Sequence, residues 1–123
     1  MNESDYSSDL ATIRVAALCI PYDNVILCGQ GWNSTTIQAY ATNSAYTVIQ
    51  WTKAPLVNGV TKVHGVGLHN ICIDANYQGD FTPASYVRQT EGIVGAGIEG
   101  LNIRNLKVKN CSHYGMGLQN GGY

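Results

Sequence analysis

The chain has 123 residues, room for one domain. Hydrophobic residues make up 45% and charged residues 12%, which excludes a disordered tail and a charge-rich coiled coil or helical bundle. A net charge of -1 leaves no basic footprint for nucleic acid or an anionic membrane. No apolar run reaches membrane-spanning length, and the polar, acidic opening Met1-Asn-Glu-Ser-Asp-Tyr6 is not a signal peptide.

Residues 1–9 are dominated by Ser, Asp and Glu and read as a loose leader. Residues 10–20 fit two patterns. Leu10, Ile13, Ala16, Ala17 and Ile20 lie on one helical face after an Asp9 cap, whereas Ile13, Val15 and Ala17 alternate as in a strand; Pro21 ends either one. Beyond Pro21 the helical pattern disappears. Short β-rich runs follow at 25–28, 35–39, 46–51, 71–73, 92–94, 101–103 and 106–108, each stopped by Asn, Gly, Asp or Pro. With no long helix between them, these runs predict an all-β chain and argue against a βαβ sheet.

Three segments share a frame: Asn24-Val-Ile-Leu-Cys-Gly29, Asn70-Ile-Cys-Ile-Asp-Ala75 and Asn105-Leu-Lys-Val-Lys-Asn110. Each opens on Asn and alternates apolar residues, so that Val25 and Leu27 match Ile71 and Ile73, and these match Leu106 and Val108. Strand alternation then sends Cys28, Asp74 and Lys109 to the opposite side. A repeat of this kind predicts a solenoid whose windings bury their apolar rows only by stacking, at about 4.8 Å per layer. The 14 glycines suit its corners, and the scarcity of aromatics, with a single Phe, suits a narrow interior.

The same residues carry a resemblance. Ile20-Pro-Tyr-Asp-Asn-Val-Ile-Leu-Cys-Gly-Gln-Gly31 followed by Thr35-Thr-Ile37 resembles the opening of the pectate-lyase-like right-handed β-helix superfamily. Leu68-His-Asn-Ile-Cys-Ile-Asp-Ala-Asn76 is similar to that family's next winding, with Ala75 where Gly is commoner. The stretch from Ile103 to Leu118 is similar to a further one, and the three blocks follow the family's order across residues 13–120. The resemblance implies a right-handed parallel β-helix of about three to four windings over 13–123, after a polar leader at 1–12. The family's preceding winding is missing here, and its members continue for many windings more. The resemblance therefore implies a piece of a longer β-helix, or a short relative that needs a partner.

Several residues are candidates for chemistry. Gly95-Ala-Gly-Ile-Glu-Gly100 spells a phosphate-cradle motif, yet a strand pattern follows it and no acid occurs after Glu99, so the glycines read as corners. Glycoside hydrolysis needs two carboxylates about 5–9.5 Å apart. Asp74 is the best-placed acid on the outer side, and Asp80 and Glu99 are its candidate companions. The competing reading makes Asp74 a structural ion pair with Lys109. A lyase would need calcium-binding acids and an Arg or Lys base; Asp74, Asp80, Glu91, Glu99, Arg88 and Arg104 are present, but no three acids share a winding position. His64, His69 and His113 are too scattered for a metal triad, and no metal or cofactor is expected. Trp32, Trp51, Tyr77, Tyr86 and Tyr114 are placed in turns or loops, where rings either stack on sugars or cover solenoid edges. Cys19, Cys28, Cys72 and Cys111 show no C-x-x-C spacing and are expected as small packed residues rather than disulfides.

Two functions from different classes follow. One is a rigid, polysaccharide-binding β-helix segment of a phage tail spike or similar surface or adhesion protein, trimeric, on a virion or cell exterior. The other is a fragment of a polysaccharide lyase or glycoside hydrolase.

Overall fold

The structure, a computed structural model, describes residues 16–40, 46–51, 63–78 and 90–119. The described residues form ten strands and no helix: β1 (Ala16–Ile20), β2 (Ile26–Cys28), β3 (Thr36–Gln38), β4 (Tyr46–Trp51), β5 (Val63–His64), β6 (Gly67–Asp74), β7 (Thr90–Ala96), β8 (Ile98–Glu99), β9 (Asn102–Lys109) and β10 (Met116–Gln119). For residues 16–20 the strand pattern prevails over the helical one. The proposed leader, 1–12, lies outside the described residues.

All pairings are parallel, and they build three sheets. One sheet runs β1-β4-β7-β10. A second is the pair β5-β8, which the preceding turn extends, since Asn24 N–H donates to the His64 carbonyl at 2.8 Å. In the third, β6 is central. Strand β9 pairs along all of β6, so β2 and β3 share its other edge, β2 on the first half and β3 on the second. From β4 onward the chain visits these sheets cyclically, through β5, β6, β7, β8, β9 and back to β10.

In-register parallel pairing places like residues over like. Leu27, Leu68 and Ile103 form one apolar stack, and Ile37, Ile73 and Val108 another. Ile49, Ile93 and Met116 form a third, in the first sheet, and Val63 pairs with Ile98 in the second. These rows meet in one core that includes Val48, Val66, Trp51 and Ile71. Each fully buried Leu or Ile contributes about 1.5–3 kcal/mol. The sum depends on neighbouring layers, because a single row has nothing to cover it.

The register corrects the first of the three sequence frames. Asn70 and Asn105 are equivalent, as expected, and Asn105 Nδ2 donates to Asn70 Oδ1 at 2.8 Å. Asn24 is not level with them: Ile26 pairs with Gly67, so Leu27 matches Leu68 and not Ile73. Cys28 consequently stands level with His69 and Arg104, while Gln38 takes the place beside Asp74 and Lys109. The cause is local. The step from Ile26 to Thr36 runs beside only 67–72 of β6, and the surplus residues turn through Gly29–Thr35. Gly29 is required there, since a Cβ would lie 2.3 Å from the Asn70 carbonyl oxygen.

Candidate functional site

The outward side of the β2/β3-β6-β9 sheet presents polar residues in level rows: Cys28–His69–Arg104, Thr36–Cys72–Lys107 and Gln38–Asp74–Lys109. Asn70 and Asn105 adopt left-handed backbone (φ 55° and 48°) in the middle of β6 and β9, and so bend both strands at one level. Asn accepts this region more readily than most residues. Beside the bend lies an open depression of about 490 Å³ lined by Trp32, Asn105, Leu106, Lys107 and Val108. Trp32 is 45% exposed, and Lys107 Nζ lies 5.1 Å from its ring centroid, a cation–π contact worth about 0.5–1 kcal/mol at an exposed site. Arg104, Lys107 and Lys109 line the exposed side of β9.

Asp74 does project from the outward side, but it is only 2% exposed. Lys109 Nζ lies 3.2 Å from Oδ2, the ion pair expected from the repeat. Gln38 Nε2 also donates to Oδ2, at 2.9 Å, while Asn110 Nδ2 (2.8 Å) and the Asn76 backbone N–H (2.9 Å) donate to Oδ1. Burial by itself pushes this carboxyl up, but donation from Asn110, Gln38, Asn76 and Lys109 outweighs it and holds the group below its ordinary value of 3.8. A carboxylate held ionised by four donors is poorly suited to donate a proton to a leaving group.

Glu99 lies in a different sheet from Asp74, on β8, where its Oε2 meets His64 Nδ1 at 3.1 Å. Asp80, Arg88 and Tyr86 lie outside the described residues. Glu91 is buried against His113, with Oε1 2.9 Å from Nδ1, so His113 occupies an interior corner and not the surface. Among the described residues no group of three or more His, Cys, Asp or Glu is arranged to hold a metal ion. The glycine-rich stretch 95–100 runs through the end of β7, a bend at Gly97 (φ 64°) and β8, with no helix opening.

The aromatic candidates divide. Trp32 lies in a turn and Tyr114 in a loop, 39% exposed and with its ring against His113 at 3.8 Å between centroids. Trp51 instead ends β4 with no exposed surface, and its indole N–H has no hydrogen-bond partner among the described residues. A ring enclosed in the core offers no face to a sugar. Tyr77 follows β6 but is only 7% exposed, packed beside Asn110, whose carbonyl accepts its backbone N–H. Tyr77 does lie in a loop, as expected, whereas Trp51 belongs to a strand. The four cysteines are free, and Cys19 and Cys28 are exposed rather than packed away.

The sequence marks Trp32 as a candidate sugar-stacking ring, but nothing in it places Lys107 beside that ring. Trp32 and Lys107 are brought together by the Gly29–Thr35 turn, which exists only because β2 and β3 share one edge of β6. Comparison with protein-family models, with curated proteins and with solved structures found no match.

Proposed function

We propose that this chain is part of a right-handed parallel β-helix whose outer face binds polysaccharide, in a phage tail spike or similar surface or adhesion protein exposed on a virion or cell exterior. The β-helix reading is supported by the cyclic visiting of three parallel sheets and by the apolar stacks through them. Right-handedness follows from the strong preference of parallel crossovers for that hand. Homotrimeric assembly belongs to the same reading; sedimentation equilibrium should give three chains per particle, and a monodisperse monomer would remove the assembly claim.

The observation that carries the binding reading is the Trp32–Lys107 depression. An indole face with a cation and an amide beside it suits a sugar ring, whose C–H face packs on the aromatic while its polar edge meets donors. The cations along β9 favour acid-bearing sugars. A glycan array of neutral and acidic oligosaccharides, probed with wild type and Trp32→Ala, tests this. Binding to at least one glycan class, reduced about tenfold or more in the variant, is the expected result. Equal binding by both proteins would refute the assignment of the site.

The hydrogen bonding of Asp74 supports binding over cleavage at this face.

A further inference from the structure

The corrected register brings together three residues that lie far apart in the chain. Cys28, the last residue of β2, stands level with His69 of β6, and Cys28 Sγ lies 4.0 Å from His69 Nδ1. On the other side of the imidazole, His69 Nε2 lies 3.0 Å from Oδ1 of Asn102, the first residue of β9. An amide oxygen only accepts, so Nε2 carries the hydrogen and donates it. The neutral ring therefore keeps its lone pair on Nδ1, the nitrogen that faces the thiol. Nucleophile, base and orienting group stand in sequence on three adjacent strands, the arrangement by which a weak nucleophile is activated. Cys28 is exposed, so reagents reach it. Arg104 occupies the next place in the same row, on the far side of His69 from the thiol.

From this geometry we infer that Cys28 is a base-assisted nucleophile, a covalent modification site for soft carbon electrophiles, with His69 as the base and Asn102 as its positioning residue. In the reaction with iodoacetamide the sulfur forms a bond to the methylene carbon while the carbon–iodine bond breaks. Iodide leaves with the electron pair, and the thiol proton passes to His69 Nδ1. The carbamidomethyl group remains on Cys28. This inference stands independently of polysaccharide binding.

The other cysteines provide internal references. Cys19 is exposed on β1 and has no imidazole hydrogen-bonded to it among the described residues. Cys72 is buried. Burial pushes the Cys111 thiol up to about 11, reinforced by the charges of Asp74 and Glu91, so it remains a thiol at neutral pH.

The experiment treats the whole chain with iodoacetamide in excess and follows each cysteine by peptide-level mass spectrometry. At pH about 7, Cys28 is expected to react about tenfold or more faster than Cys19, a conservative share of what a positioned base supplies. The pH profile of the Cys28 rate should differ from that of Cys19. His69→Gln should bring Cys28 down to the rate of Cys19 and its pH profile onto that of Cys19, leaving Cys19 unchanged. Asn102→Ala should lower the Cys28 rate by a smaller factor and leave the Cys19 rate unaltered. Continued protection of Cys72 in both variants shows that the fold persists. If Cys28 reacts no faster than Cys19 in wild type, the inference is overturned. It is overturned equally if folded His69→Gln leaves the Cys28 rate and pH profile unchanged, or if folded Asn102→Ala leaves the Cys28 rate unchanged.

Discussion

Replacing Asp74 with Ala removes the acceptor for a set of donors that stay in place. Asn110 Nδ2, Gln38 Nε2 and the Asn76 backbone N–H all aim at this carboxylate within 2.9 Å. Each hydrogen bond to a charged acceptor is worth about 1.5–3 kcal/mol. Lys109 is partly exposed and returns to water, so its ion pair adds only about 0–1 kcal/mol. Allowing one of the three donors to find water, the loss is about 3–7 kcal/mol, a large part of the ~5–15 kcal/mol total stability of an ordinary domain. Asp74→Asn keeps the shape and one acceptor oxygen but turns a donor toward its neighbours, and should cost less, about 1–3 kcal/mol.

The assay is urea denaturation of wild type and both variants at neutral and acid pH. The folded carboxyl sits below its ordinary value of 3.8, so its contribution is fully present above that value. It is lost as pH falls through the lower, folded-state value. The gap between wild type and Asp74→Ala should therefore be full at neutral pH and begin to close below 3.8. A gap under about 1 kcal/mol at neutral pH would refute the reasoning, given the magnitudes above. So would a gap that persists unchanged into strong acid. Abolished polysaccharide cleavage in a fully stable Asp74→Asn variant would instead restore the enzymatic reading of this residue.

The stacked core makes further predictions. Ile73→Ala, in the middle of the Ile37–Ile73–Val108 row, should lower stability by about 2–5 kcal/mol in the same denaturation assay, whereas the more exposed Ile26→Ala should change it by about 0.5 kcal/mol or less. Asn70→Val forces a β-branched residue into positive φ and loses the bond to Asn105, costing about 2–3 kcal/mol; Asn70→Gly loses only the bond, about 1 kcal/mol. Equal effects of the two substitutions would show that backbone conformation is not what selects Asn there. Gly67→Ala would place a Cβ 2.2 Å from the Asn102 carbonyl oxygen, so its melting temperature should fall by an amount corresponding to about 1–3 kcal/mol.

Much of the architecture was legible because stacking makes sequence periodicity visible. The frames beginning at Asn70 and Asn105 align over β6 and β9 residue for residue, and Asp74 was correctly set against Lys109. What the pattern obscured has physical causes. Asn70 and Asn105 read as strand breakers, yet each is absorbed within a continuous eight-residue strand by a single left-handed residue. Strands β5 and β8 are two residues long, too short to show any alternation. The first frame slipped because the Gly29–Thr35 turn fills the space of two residues of β6, Asn70 and Ile71, and nothing local to Asn24 marks that insertion. The slip mattered for the sites. It hid the approach of Cys28 to His69 and of Trp32 to Lys107, since both depend on which residues share a level. The burial of Trp51 and Tyr77 was hidden for a different reason: proximity to a run's end does not reveal whether other chain covers the ring.

The binding face can be tested most directly through its own fluorophore. The chain has two tryptophans: Trp32, which is exposed, and Trp51, which is enclosed in the core. Emission is recorded while glycans that score on the array are titrated into wild type, Trp51→Phe and Trp32→Phe. Saturable shifts in wild type and Trp51→Phe, and none in Trp32→Phe, are the outcome predicted here. An unaltered emission in wild type with every glycan, or a shift retained in Trp32→Phe, would contradict the assignment of this face to polysaccharide.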